Sequence, residues 1–252
     1  MDFDVSQDER TCAIANWLLK HSAVDQESPQ NKWGEIANHK ETECPKKVAN
    51  QFLLCCLLDY QSKADPWKRG RRFIEEISKR PDEVWAEIGA CTKEEWESDA
   101  KFGECGLHWM HKAHNRIWPI AKRICFWFDG DARRIWQKSN SFDTLCRLYY
   151  LGAGEQISRM IVGALKDCGL VSGKCDVKAD VYICRVLGRA ILGKDASPPE
   201  AVALARRLHP SDPWQLDWPL CNIGKSYCEA TTPKCSNCDL ATNCLYAHWH
   251  PS

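Results

Sequence analysis

Cys228-Glu-Ala-Thr-Thr-Pro-Lys-Cys235-Ser-Asn-Cys238-Asp-Leu-Ala-Thr-Asn-Cys244 sets four thiols inside seventeen residues, with six, two and five residues between them. That spacing suits a compact loop wrapped around a cubane iron–sulfur cluster better than it suits disulfides. Thiolates are the usual ligands of such clusters, and four are needed to hold four irons. Zinc is the competing reading. Zinc sites usually show two close Cys/His pairs separated by a longer stretch, and here only Cys235 and Cys238 form such a pair. Cys221, seven residues ahead of Cys228, offers a second register for the ligand set. The residues point to a metal-binding loop and leave cluster and zinc both open.

Working outward, the whole chain has 252 residues, enough for one large domain or two small ones with real cores. Its 44% hydrophobic and 27% charged residues place it with folded soluble proteins. Sixteen cysteines in a short secreted chain would suggest a disulfide scaffold. This chain is not short, and its acidic start lacks the basic and apolar regions of a signal peptide. The expectation is a reducing, cytoplasmic compartment, with most thiols acting as small buried hydrophobes. The longest apolar run, Phe52 to Leu58, has seven residues, far short of a membrane span.

Formal net charge is zero, so nucleic-acid binding would have to rest on a local patch. Lys63 to Arg80 carries seven Lys/Arg and Arg185 to Lys194 carries three. A solvated helix face is the plainer reading of each. Of the twelve tryptophans, most belong in a core, with a few free to line a pocket for a flat ligand.

Apolar spacing is helical nearly throughout, with no alternating run flanked by hairpin signals, which makes the fold class all-α. The pattern predicts helices over about 8–20, 46–60, 66–79, 82–89, 93–100, 108–128, 130–138, 142–150, 155–168, 180–192 and 198–208. Thr92-x-x-Glu95 and Ser197-Pro-Pro-Glu200 read as capping boxes, and Pro81 precedes acidic residues suited to a helix N-terminus. The polar stretch from Ala23 to Lys46 reads as a connection between two lobes.

Two segments carry chemistry. Tyr150-Leu151-Gly152-Ala153-Gly154-Glu155-Gln156 is a Gly-x-Gly turn between helices. Its glycines permit close backbone approach, and the helix that follows presents amides suited to a phosphate. A plain glycine C-cap is the simpler account. In Val177-Lys-Ala-Asp180-Val-Tyr-Ile-Cys-Arg185-Val186, Asp180 stands where a helix should begin. A carboxylate there is suited to stabilising a developing cation or accepting a proton from water, although for an isolated Asp capping alone suffices.

Hairpin, then Asp followed by x-x-x-x-Arg-Val, then Cys-x6-Cys-x2-Cys-x5-Cys together resemble the helix–hairpin–helix DNA glycosylase superfamily. Within it the pattern is similar to the iron–sulfur branch of endonuclease III and the adenine glycosylase MutY, over about Val48 to Cys244. The resemblance implies an all-helical, bilobal fold. A six-helix barrel domain would span 46–172, and a second lobe would be made from 1–45 and 173–252, with the cluster loop at 221–246.

The same resemblance implies that Asp180 is the catalytic aspartate and that the amides of Gly152 and Gly154 hold a DNA phosphate. Cys228, Cys235, Cys238 and Cys244 would ligate a [4Fe-4S] cluster. Gln61 would fill the gap left by an extruded base. The implied partner is double-stranded DNA with its target nucleotide flipped out, bound by a monomer in the cytoplasm or on the nucleoid.

Departures from the family pattern are informative. Gln156 stands where bifunctional members carry a lysine, and a glutamine amide cannot form the Schiff base that leads to strand cleavage. The expected activity is therefore base removal without lyase chemistry, with Gln156 placed to hydrogen-bond the flipped base or the water. Leu151 replaces the usual proline before the first glycine. Cys56 stands where MutY has its catalytic glutamate, which disfavours adenine specificity. Alternatives are a non-catalytic lesion-sensing module of the same fold, a bifunctional lyase, and a zinc-stabilised interaction protein. The excised base stays open, from mismatched pyrimidines and damaged bases to bulky modified cytosines of phage DNA in an antiviral role.

Overall fold

A computed structural model describes residues 7–24, 33–39, 44–59, 70–72, 74–75, 78, 80–98 and 111–250. In chain order the helices are α1 (Gln7–Val24), α2 (Lys46–Leu58), α3 (Val84–Ala90), α4 (Lys93–Ser98), α5 (His111–Phe128) and α6 (Arg133–Trp136). They continue with α7 (Ser141–Leu151), α8 (Glu155–Asp167), α9 (Val181–Leu187), α10 (Pro198–Leu208), α11 (Asp217–Ser226) and α12 (Leu245–Trp249). Among the described residues there is no strand, only an isolated parallel bridge between Asn140 and Ser172. The fold is all-α. No helix among them is long and apolar enough to cross a membrane.

The predicted helix starts form as their chemistry dictates. Thr92 Oγ1 accepts from the Glu95 amide at 3.1 Å while the Glu95 carboxylate accepts from the Thr92 amide at 2.7 Å. Ser197 and Glu200 make the same reciprocal pair, with Pro198 at the first helical position. The helix expected over 130–138 shortens to α6, because Gly130 (φ 67°) and Lys138 (φ 55°) adopt left-handed backbone on either side of it. Most of the helix expected over 66–79 lies outside the described residues.

The chain divides into two compact units, residues 27–173 and residues 1–26 with 174–252. The division falls inside the polar stretch from Ala23 to Lys46, earlier than the 45/46 division that the family resemblance implies. Trp33 and Ile36 are buried, and Trp33 Nε1 donates to Asp167 Oδ2 at 2.9 Å, which ties this segment to α8. The core of unit 27–173 includes Phe52, Trp85, Ile88, Ile120, Ile124, Trp136, Leu148 and Ile161. Phe52 and Trp136 meet edge to face at 6.1 Å. Asn50, fully buried in α2, donates to the carbonyls of Asp82 and Gly130 and accepts from the Ala132 amide, so its amide group is fully used.

The second unit packs α1, α9, α10 and α11 around Ile14, Leu18, Ile183, Leu187, Ala201, Ala205, Leu220 and Ile223. Cys228, Cys238 and Cys244 lie partly buried against that core. Two helices here, α11 and α12, go beyond the sequence pattern, which stops at residue 208. Pro219 and Gly224 inside α11 disguise it, since both are poor helix formers. The glycine has a packing reason: a Cβ at Gly224 would lie 2.5 Å from the Tyr182 Cβ.

Candidate active site and cysteine loop

Asp180 is the N-cap of α9. Its Oδ1 accepts from the amides of Tyr182 at 2.9 Å and Ile183 at 3.2 Å, while its own carbonyl accepts from the Cys184 amide at 2.9 Å. Ala179, just before it, holds φ 50°, and the Lys178 amide donates to Asp217 Oδ1 at 2.6 Å. The turn into α9 is thus fastened from both sides and sets the carboxylate on the helix axis. No hydrogen bond engages Asp180 Oδ2 among the described residues. The side chain is half-buried, beside an exposed Val181.

Behind Asp180, Arg185 lies in α9 and Arg189 in the π-helical turn Gly188–Leu192 that continues it. Arg185 donates to the carbonyls of Cys228 at 2.5 Å and Gly224 at 3.2 Å, and its guanidinium lies 5.4 Å from the Tyr182 ring centre. Arg189 is only 6% exposed. It donates to Glu229 O at 2.7 Å, Ala230 O at 2.9 Å and Asp195 Oδ1 at 2.7 Å, and its Nη1 lies 3.7 Å from Cys228 Sγ. Of the three cations from Arg185 to Lys194, only Lys194 is exposed; the two arginines do not form a solvated face. Both arginines turn inward and clasp the loop that begins at Cys228. Sequence reasoning missed this role; the signal was two arginines four residues apart shortly after the Asp180 cap.

Cys228, Cys235, Cys238 and Cys244 all line one small hollow of about 30 Å³, together with Arg189, Ile223, Leu240 and Tyr246. Burial pushes the Cys238 thiol up to about 11, and the neighbouring Cys244, Cys228 and Cys235 add to it. Burial also raises Cys228, against which the Arg189 and Arg185 cations pull down. Cys221, the alternative start of the ligand set, does not line this hollow, and burial raises its thiol. Among the described residues no three His, Cys, Asp or Glu side chains converge tightly enough for a single metal ion. The four thiols line one hollow, with the Arg189 cation beside Cys228.

In the other unit, α7 ends in a full Schellman motif. The Ala153 amide donates to Leu148 O at 3.1 Å and the Gly152 amide to Tyr149 O at 2.9 Å, with Gly152 at φ 86°. Gly154, at φ 83° and ψ 157°, begins α8 as an N-cap without a side chain, so it supplies no acceptor to the first-turn amides. Gln156 is exposed in that first turn. Arg123 from α5 donates to Leu151 O at 2.8 Å, and a Cβ at Gly152 would meet its Nη1 at the same separation, 2.8 Å. A glycine C-cap and an uncapped helix start are thus parts of one turn. Gln61 lies outside the described residues.

No protein-family model matches this chain, and no curated protein matches it either. Solved structures do. One is an endonuclease III–DNA covalent intermediate, trapped as an estranged-adenine complex, at 16% identity and TM-score 0.60, covering 97% of this chain and 98% of that one. Another is a non-covalent endonuclease III–DNA complex at 18% identity, with the same TM-score of 0.60 and the same coverage, 97% and 98%. At such identities the likeness is one of architecture, and it extends over nearly the whole of both chains: this protein has the all-α fold of endonuclease III.

Proposed function

We propose that this protein is a DNA glycosylase of the helix–hairpin–helix type that hydrolyses the N-glycosidic bond of a damaged or modified base and leaves an abasic site. The observation that carries this reading is the capped but half-engaged carboxylate of Asp180. One oxygen holds the start of α9, and the other is left for chemistry. The fold likeness to DNA-bound endonuclease III supports DNA as the substrate.

In the proposed reaction the target nucleotide is flipped out, since its glycosidic bond is unreachable inside the stack. The bond from the sugar C1′ to the base nitrogen breaks, and the base leaves with the electron pair and takes up a proton. Asp180 stabilises the positive charge that develops on the sugar. Water then bonds to C1′ and passes its proton to Asp180. Gln156 orients the base or the water through its amide. Having no amine, it forms no Schiff base, so the strand is left intact. Gly152 and Gly154 let a DNA phosphate approach the first turn of α8.

The chemistry of the donor set supports a [4Fe-4S] cluster as the bound group: four thiols line one hollow, with Arg189 to offset negative charge. Cys228, Cys235, Cys238 and Cys244 would hold it, and its contribution when bound is to order the loop, because base hydrolysis transfers no electron. Duplexes with modified bases, screened for released base by mass spectrometry, test the reading. Base release accompanied by alkali-labile sites, with no borohydride-trappable adduct, is the expected result. Strand cleavage without alkali, or a trapped adduct, would make Gln156 the wrong residue to argue from.

A further inference from the structure

Three aromatic rings on unit 27–173 are largely exposed to water. Phe126 is 76% exposed, Trp127 53% and Tyr150 63%. They form a chain, Phe126 to Trp127 at 4.9 Å and 84°, then Trp127 to Tyr150 at 5.6 Å and 77°. Edge-to-face contact braces each ring while leaving most of its surface open. Monomeric proteins seldom expose contiguous large apolar side chains, and such patches mark interaction sites.

The chemistry around the rings selects the occupant. Lys122 and Arg123 are exposed one helical turn before Phe126 and Trp127, on the same helix α5. Lys122 Nζ lies 4.5 Å from the Trp118 ring centre, and Arg123 is held on Leu151 O. The hollow beside the rings is lined by Gly89, Lys122, Arg123, Cys125, Phe126 and Trp127, with no acidic side chain. Open aromatic faces beside cations match a ligand of flat rings on a polyanionic backbone. A duplex hides its base faces in its own stack, so only unpaired bases can use them.

We propose that the ridge Phe126–Trp127–Tyr150, with Lys122 and Arg123, binds single-stranded nucleic acid by stacking successive unpaired bases. This goes beyond the glycosylase reading and does not rest on it, since Asp180 takes no part.

The test uses the full chain and a fluorescein-labelled fifteen-residue oligothymidylate read by anisotropy, with a blunt duplex as control. Phe126→Ser/Trp127→Ser/Tyr150→Ser should weaken oligothymidylate binding at least about tenfold, given what base–aromatic stacking contributes. The thermal midpoint and blunt-duplex affinity should stay unchanged. Lys122→Ala should flatten the slope of log affinity against log salt by about 0.7. Wild-type protein that ignores the oligonucleotide, or a triple variant that binds it equally well, overturns the proposal. So does an equal loss of duplex affinity, which would assign the ridge to paired DNA. Self-association in sedimentation that the triple variant abolishes, with oligonucleotide binding intact, overturns it in favour of an interface between copies.

Discussion

Asp131 and Asp180 both stand at the start of a helix, one in each unit, and they use their oxygens differently. Asp131 is 8% exposed and saturated. Its Oδ1 accepts from the Arg133 amide at 3.0 Å and Nε at 2.9 Å, and its Oδ2 from Arg133 Nη2 at 2.6 Å. Asp180 gives one oxygen to two backbone amides and leaves the other without a hydrogen bond among the described residues. Asp131 spends both oxygens on holding structure. In the proposed reaction Asp180 uses the oxygen that its cap leaves over, and capping supplies the rigidity that a free side chain would lack. The hairpin shows a third arrangement: Gly154 begins α8 with no side-chain acceptor, so an acceptor must come from outside.

Asparagine at each position tests this contrast. Asp180→Asn keeps a capping oxygen, since Asn caps about as well as Asp, but removes the charge and the proton acceptor. Base release should fall by about 10²- to 10⁴-fold, the usual contribution of a positioned acid or base. Duplex affinity and thermal midpoint should barely move. Asp131→Asn should do the reverse, lowering stability while base release per folded molecule persists. Wild-type release rates from Asp180→Asn would end the comparison, leaving Asp180 as a cap like any other.

The uncapped helix start comes next in size. Gly154 combines φ 83° with ψ 157°, a region essentially confined to glycine. Gly154→Ala should lower unfolding free energy by about 1–3 kcal/mol. By moving the first-turn amides of α8 it should also weaken duplex DNA binding about tenfold, roughly the free energy of one charge-assisted hydrogen bond. Titration of labelled duplex in parallel with chemical denaturation separates the two effects. Unchanged affinity in a destabilised variant would reduce the hairpin to a structural turn.

What was legible in the chain was what local spacing encodes. The capping boxes at Thr92 and Ser197, the N-cap at Asp180 and the double-glycine turn each need only residues within a few positions of one another, and each formed. The four cysteines announced themselves as a group for the same reason. The roles of Arg185 and Arg189 were not legible, because their partners at Gly224 to Ala230 lie some forty positions away. Nor was α11, where Gly224 looks like a helix breaker until Tyr182 is seen packed against it. The boundary near residue 26 was hidden likewise: a polar segment reads as a linker, but a single buried Trp33 anchors it to α8.

Arg189 clasps the loop that begins at Cys228, and its removal should have a moderate effect. The Asp195 carboxylate is 59% exposed, so the ion pair itself contributes little. The buried bonds to Glu229 and Ala230 matter more, because a charged donor to a carbonyl contributes more than a neutral one. Arg189→Met should therefore cost about 2 kcal/mol and, with the cluster proposed above, lower the iron content per purified chain, while Asp195→Asn should change both only slightly. Undiminished iron in Arg189→Met would mean that the cysteine loop holds its shape unaided.

The smallest expected effect returns to Asp131 and concerns pH. Burial works to raise its carboxyl, but the hydrogen bonds and charge of Arg133 outweigh it and leave the group below its ordinary value of 3.8. The sign follows from linkage. A carboxyl depressed in the folded state contributes stability in full above its unfolded value, and that contribution fades as pH falls through the folded one. Unit 27–173 should thus lose stability as pH drops below about 4, with Asp131→Asn, already without that contribution, showing a flatter acid limb. Denaturation midpoints taken across that range, with Asp180→Asn alongside, put the comparison in its sharpest form. If the acid limb of Asp131→Asn matches that of wild type, the saturated carboxylate does not hold its unit together, and filled oxygens would cease to mark a structural aspartate.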